Sequence, residues 1–199
     1  MRKLLFRFIL GLFSLSSPAL SQGPLPAIDL NANWDVSVFL AGETGEETTN
    51  SFAQEQILTA GIFGGRTLSG EIGSGWRRGR MEYAFDFFPV FETYGTQRTH
   101  GIGFDPVLLR WNSALHTRTL SPYIELGGGG LSTPVNFPPG RTSSFNFLAR
   151  GGGGFYVRTR RRQALDLGLR WSHISNANLG IDNYEFNGIQ FGVSYHWFK

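Results

Sequence analysis

The sequence predicts an all-β chain, an eight-stranded antiparallel transmembrane β-barrel. Three observations carry that expectation. Apolar and polar residues alternate with period two in segment after segment, which is the signature of strands rather than helices. The strand charges share one parity and the aliphatic and aromatic residues share the other, with 18 Phe and 15% aromatic residues in a chain of 199. Downstream of the N-terminus, no stretch approaches the ~18 apolar residues that a membrane-spanning helix requires.

The elements follow in chain order. Arg2 and Lys3 precede an apolar run from Phe8 to Leu15, and then Ser16-Ser17-Pro18-Ala19-Leu20-Ser21. Basic, apolar and small-residue segments in that order read as a secretory signal peptide over 1–21, with the barrel domain over 22–199. In the first strand Trp34, Val36, Val38 and Leu40 alternate with Asp35, Ser37, Phe39 and Ala41. A second strand is expected over 56–67. In the third, Met81, Tyr83, Phe85 and Phe87 alternate with Arg80, Glu82, Ala84 and Asp86. The fourth covers 100–112, with Pro106 inside it and the parity broken at Asp105.

In the fifth, Ile124, Leu126 and Gly128 oppose Tyr123, Glu125 and Gly127. Pro134, Pro138, Pro139 and Gly140 make Ser132 to Ser144 a surface loop. The sixth sets Phe145, Phe147, Ala149, Phe155 and Val157 against Asn146, Arg150, Tyr156 and Arg158. In the seventh, Leu165, Leu167, Leu169 and Trp171 alternate with Asp166, Gly168, Arg170 and Ser172. The last sets Ile189, Phe191, Val193, Tyr195 and Trp197 against Gln190, Gly192, Ser194 and His196.

The sense of the alternation identifies the solvent. Glu82, Asp86, Arg110, Glu125, Arg150, Asp166 and Arg170 fall on the polar parity, where charges of both signs can pair across a narrow lumen. A soluble barrel has the reverse arrangement, apolar inside and polar outside. Inverted alternation and an export signal together indicate the bacterial outer membrane. With both termini in the periplasm, the connection between strands seven and eight opens to the cell exterior.

Other partners and chemistries are disfavoured. A net charge of +3 gives no reason to expect nucleic acid, and Arg158-Thr159-Arg160-Arg161-Arg162 reads as a solvated turn. The absence of cysteine excludes disulfides and thiolate metal sites. Neither Gly127–Gly130 nor Gly151–Gly154 is followed by Gly-Lys-Ser/Thr or opens an amphipathic helix, so neither is a phosphate-binding loop.

Chemistry concentrates at the end of strand seven. Continued alternation places His173 and Ser175 on the apolar parity of Leu169 and Trp171, side by side on the lipid-facing surface. A hydroxyl needs a base to attack an ester at neutral pH, so this pair suits a hydrolase whose substrate is a lipid. The segment His-Ile-Ser-Asn-Ala-Asn-Leu-Gly (173–180), placed before the final strand, resembles the signature of the PagL-type lipid A 3-O-deacylases. The resemblance is sharpest over 165–198.

That resemblance implies hydrolysis of the 3-position acyl ester of lipid A with release of a 3-hydroxy fatty acid. It implies no metal or organic cofactor. Ser175 is then the nucleophile and His173 the general base, while the Asn176 side chain and the Ala177 backbone amide resemble the family's oxyanion hole. Ungapped spacing puts the family's glutamate on Asn187. Glu185, of the same parity, is favoured as the third member because a carboxylate stabilises an imidazolium better than an amide does. Asn187 is the alternative, and Asp182 in the loop a weaker one. The expected partner is lipopolysaccharide in the outer leaflet. The oligomeric state, monomer or homodimer, stays open. The competing reading is a non-enzymatic small outer-membrane barrel that binds lipopolysaccharide or host surfaces.

Overall fold

A computed structural model describes residues 32–46, 50–51, 55–115 and 119–199. The export segment expected over 1–21 lies outside the described residues. Eight strands follow one another: β1 (Trp34–Gly45), β2 (Gln56–Thr67), β3 (Gly79–Tyr94), β4 (His100–Ser113), β5 (Leu120–Ser132), β6 (Phe145–Arg160), β7 (Gln163–Ser175) and β8 (Glu185–Phe198). Each pairs antiparallel with its sequence neighbours, and β1 pairs with β8 to close the barrel. Closure leaves no sheet edge, so outside the bulges the strand backbone is paired on both sides, as a hydrocarbon surround requires.

The alternation has the expected sense. Val38, Phe85, Ile124, Leu126, Phe155, Leu169 and Phe191 are exposed on the outer surface. Glu82, Asp86, Arg110, Glu125, Arg150, Asp166 and Arg170 are all buried in the lumen. At one end of the barrel lie the start of β1, the end of β8 and the connections that follow β2, β4 and β6, hereafter the turn end. The connections that follow β1, β3, β5 and β7, including 133–144 and 176–184, form the opposite loop end.

Two prolines explain where the strands depart from simple alternation. The alternation read in the third strand reaches Phe87, and β3 continues to Tyr94 through a bulge between Phe88 and Phe91 that accommodates Pro89. A second irregularity, between Phe104 and Val107, takes up Pro106 in β4. Proline cannot donate to a ladder, so a bulge is the ordinary way to keep it within a sheet. Tyr83 Oη donates to the Pro106 carbonyl at 2.5 Å, giving the displaced carbonyl a partner.

The lumen is filled in layers. At its centre Glu125 accepts from Arg110 Nε (2.9 Å) and Nη2 (2.7 Å) through one oxygen and from Arg170 Nε through the other. The Arg110 guanidinium also lies between the rings of Phe63 and Tyr123, 4.3 Å from each centroid. Arg150 Nη1 is 3.0 Å from Asp105, and His196 Nδ1 is 2.8 Å from Asp35. Tyr123 reaches across the lumen to Asp166 at 3.0 Å, over Gly154 and Gly168. A Cβ on Gly154 would stand 2.6 Å from that hydroxyl, so glycine there makes room for the ring.

Toward the loop end the filling turns apolar. Ile57, Phe88, Phe91, Leu131, Phe137, Leu148, Ile174 and Phe186 form one buried cluster. Phe137 comes from the 133–144 connection, so this cluster ties a loop to the barrel wall.

Two outcomes follow from this packing. Single cysteines placed in the cysteine-free chain at 167 and 191 should react with a lipid-restricted probe, and cysteines at 166 and 170 should not. Reversed reactivity would invert the register. Replacing Glu125 with Ala strands two buried guanidinium groups and should cost about 3–5 kcal/mol. Urea unfolding of the barrel in vesicles measures that loss, and an unchanged midpoint would remove Glu125 from its central role.

Candidate functional site

Strand pairing builds the site. In the β7–β8 ladder His173 lies opposite Asn187, Ile174 opposite Phe186, and Ser175 opposite Glu185. Directly opposed side chains on one face have Cβ atoms about 4.5–5.5 Å apart. The odd positions of both strands point outward, so four polar residues form a compact patch on the lipid-facing wall. The even positions between them, Ile174 and Phe186, point inward into the apolar cluster and anchor the patch from behind.

The hydrogen bonds run in one direction. Ser175 Oγ is 2.9 Å from His173 Nε2, and His173 Nδ1 is 2.8 Å from Asn187 Oδ1. Asn187 Nδ2 donates to Glu185 Oε1 at 3.0 Å. That last bond fixes which way the amide points, with its carbonyl toward the ring. The carbonyl can only accept, so Nδ1 carries the proton and Nε2 is left to accept from the serine hydroxyl. The second Glu185 oxygen is 3.9 Å from Nδ1. Two full charges at that separation attract by about 1 kcal/mol in water and about 4 kcal/mol at an effective dielectric of 20. This partly exposed pair lies between those limits.

Neighbours hold the imidazole in place. Trp171 stacks on it with 6.0 Å between centroids and 20° between planes. On the other side, β6 presents the small Ala149 opposite His173 and Phe147 opposite Ser175. Ser175 is only 9% exposed, and the His173 side chain 28%. The serine hydroxyl is therefore largely covered, and the imidazole is reached from the outer surface.

The sequence-expected residues meet here to different degrees. Ser175, His173, Asn187 and Glu185 are brought together. Against the preference for Glu185, Asn187 makes the direct bond to the ring and the carboxylate stands behind it. Both positions share the outward parity, and only the register separates them.

Asp182 is engaged elsewhere. Its carboxylate holds Arg141 through Nε and Nη2, both at 3.1 Å. Its carbonyl accepts from Asn176 Nδ2 at 2.8 Å. Asn176 is fully buried, and its Oδ1 accepts from the Asn178 amide at 2.9 Å, so its side chain organises the loop. Ala177 (φ 50°) and Asn178 (φ 65°) adopt left-handed conformations that L residues favour little, and the Asn176 bonds hold that turn. Close docking of this loop on 133–144 requires glycine at 180, where a Cβ would stand 2.7 Å from the Thr142 carbonyl.

Some of the site had weak or no sequence signal. Trp171 could be read from parity, since it precedes His173 by two residues. The strap formed by the β1–β2 connection could not. Asn187 N donates to Ser51 Oγ at 3.2 Å, Glu185 N to the Asn50 carbonyl at 3.1 Å, and Glu46 N to the Asn187 carbonyl at 2.7 Å. These bonds fix the first turn-out of β8 from a segment about 135 residues away in the chain. Among the described residues, no group of three or more His, Cys, Asp or Glu is arranged to hold a metal ion.

Comparison with known proteins bears on the whole chain. The crystal structure of the outer-membrane enzyme PagL is similar at 20% identity, with a TM-score of 0.57, covering 80% of this chain and 97% of that one. The crystal structure of Neisserial surface protein A is similar at 12% identity, with a TM-score of 0.56, covering 84% and 98%. At these identities both likenesses speak for the fold, a small outer-membrane barrel. No curated protein sequence matches the chain. The family model described as lipid A 3-O-deacylase (PagL) matches residues 48–196, from the strap into the end of β8. The chain therefore belongs to the PagL family of lipid A 3-O-deacylases.

Proposed function

We propose that this protein hydrolyses the 3-position acyl ester of lipid A, with Ser175 as nucleophile, His173 as base and Asn187 backed by Glu185 as the orienting pair. The observation that carries the proposal is the one-way hydrogen-bond chain from Ser175 through His173 to Asn187, on the lipid-facing wall of a PagL-family barrel. A barrel that only binds or supports has no need of a serine hydroxyl aimed at an imidazole on that surface.

The substrate is a lipid already held in the leaflet, so it reaches an outward site by lateral diffusion. Ser175 Oγ attacks the ester carbonyl carbon as its proton passes to His173 Nε2. The carbonyl oxygen gains charge and needs donors. The Ala177 amide and the second N–H of Asn176 Nδ2 are the candidates, since the first is committed to Asp182. The imidazolium returns the proton to the departing 3-oxygen of the sugar, leaving an acyl-serine. Water, deprotonated by the same nitrogen, attacks that ester, and Ser175 leaves with its proton restored as the 3-hydroxy fatty acid departs. Asn187 keeps the Nδ1 proton in place throughout, and Glu185 supplies the negative charge that the amide lacks.

Mass spectrometry of lipid A from cells expressing the protein tests the activity. Loss of one 3-hydroxyacyl group is expected. Ser175→Ala and His173→Ala should each lower the rate about 10⁴-fold or more while the barrel still assembles. Normal deacylation by either folded variant would sink the assignment.

The orienting pair makes a separate prediction. Asn187→Leu removes the bond to the ring and should cost about 10²–10⁴ in kcat, the loss seen when a triad's third member is removed. Glu185→Gln keeps a hydrogen-bonding partner but loses the charge, so a smaller loss of about tenfold is expected. Because the two act through one contact, the double variant should lose less than the product of the single losses. Full activity in Asn187→Leu would return the role to Glu185 alone.

A further inference from the structure

The turn end carries a feature that hydrolysis at the loop end does not use. The β2–β3 connection, residues 68–78, is long for the end where such barrels have short turns. It is also ordered. Ile72 and Gly79 exchange backbone bonds of 2.9 and 3.0 Å, and Leu68 N donates to the Met81 carbonyl at 2.8 Å. A 3-10 turn, Gly75–Arg77, closes the tip. The Arg78 carbonyl accepts from Ala114 N in the neighbouring connection at 2.7 Å.

This ordered tip exposes what a water-facing turn would hide. Trp76 is 72% exposed, Leu68 58% and Ile72 50%. Cations are interleaved with the apolar groups. The Arg77 guanidinium lies 4.9 Å from the Trp76 ring centroid, and Arg66 lies 5.3 Å from that of Trp34 at the start of β1. Arg160, Arg161 and Arg162 turn between β6 and β7 at the same end, beside the packed rings of Tyr195 and Trp197. These arginines, Arg78 and Lys199 are exposed. Opposing them, Glu71 is the only exposed carboxylate side chain of this end among the described residues, and it lies 3.5 Å from both Arg78 and Arg80. The loop end differs: its exposed arginines among the described residues are Arg98 and Arg141, and Asp182 holds the second.

We propose that the turn end is a docking surface for anionic phospholipid headgroups of the periplasmic leaflet, with the Trp76 tip as its apolar anchor. Indole rings settle at the boundary between headgroups and acyl chains, where their apolar body and N–H are both accommodated. Guanidinium groups on long apolar stems reach past that boundary to phosphate and bind it by paired N–H donors. The excess of cations over carboxylates selects lipids of net negative charge over zwitterionic ones. The surface would hold the barrel upright, with its site at the level of the opposite leaflet.

Quenching of Trp76 tests this directly. The full barrel, and Trp76→Phe as the blank, are placed in nanodiscs containing phosphatidylcholine brominated along its chains, or phosphatidylglycerol brominated likewise at the same fraction. The Trp76 emission should be quenched more strongly by the brominated phosphatidylglycerol, with apparent association at least about tenfold tighter than for phosphatidylcholine. The triple variant Arg160→Glu/Arg161→Glu/Arg162→Glu should abolish that preference, because about fivefold for each cation lost multiplies to more than about tenfold. Heat-modifiable gel mobility reports whether the variant barrel has assembled, and Arg77→Gln/Arg78→Gln serves if it has not. Equal quenching by the two lipids overturns the selection for negative charge. Quenching by neither overturns the membrane assignment and leaves the tip in water, facing a soluble partner.

Discussion

The pairing of β7 with β8 is the constraint on which the site depends. It sets His173 against Asn187 and Ser175 against Glu185, and it sets their parity relative to the wall. Side chains alternate with period two, so a slip of one residue would exchange the two faces. Ser172 and Ile174 would then meet lipid, while the imidazole would enter the lumen. The penalty for that slip is large on both sides. Phe186 and Ile174 are fully buried within the loop-end cluster, and Arg170 is tied to Glu125 at the centre. The outward chemistry is thus held in register by inward packing.

The lumen has its own logic. Removing charges from water is costly, and the cost is offset only when each is paired and hydrogen-bonded. Glu125 meets that condition with two arginines, one from each side, and Arg110 gains two aromatic faces besides. Such a centre contributes specificity as much as stability, because a wrong strand register would leave its members unpaired. The apolar layer above it then closes the barrel beneath the loops and carries Phe137 of the 133–144 connection. That connection in turn receives the 176–184 loop through Arg141, Thr142 and Gly180. A continuous path of contacts runs from the polar centre to the turn that follows Ser175.

Much of this was legible in the sequence, and the reasons are local. Period-two alternation marked six of the eight strands and, less cleanly, 56–67 and 100–112, and its inverted sense distinguished lumen from lipid at Glu82, Arg110, Glu125 and Arg170. The far end of β3 was not legible, because a bulge at Pro89 lets a strand continue past a residue that ordinarily stops one. His173 and Ser175 could be placed on one face from parity alone. The choice between Glu185 and Asn187 could not, since parity is the same for both and only the ladder register says which stands opposite the histidine. The strap at Glu46, Asn50 and Ser51 was invisible for a different reason. Its bonds to Glu185 and Asn187 are made by backbone groups and one serine hydroxyl, which no residue pattern announces.

The proposed division of labour between Asn187 and Glu185 has a physical rationale in where the site lies. On a lipid-facing wall a carboxylate is costly in proportion to its depth, and the cost falls toward the interface. Glu185 is the first residue of β8, at the loop end, whereas Asn187 lies two residues deeper. Placing the charge at the shallower position keeps it nearer headgroups and water. The neutral amide, which is cheaper to bury, makes the deeper contact with the ring. The amide also transmits position: its Nδ2 bond to Glu185 fixes its carbonyl, and the carbonyl fixes the tautomer. At 3.9 Å the carboxylate remains close enough to favour the imidazolium when it forms. In the proposed mechanism, orientation and charge stabilisation, which one carboxylate can supply together in a wetter triad, are separated along the strand by the depth at which each is tolerated.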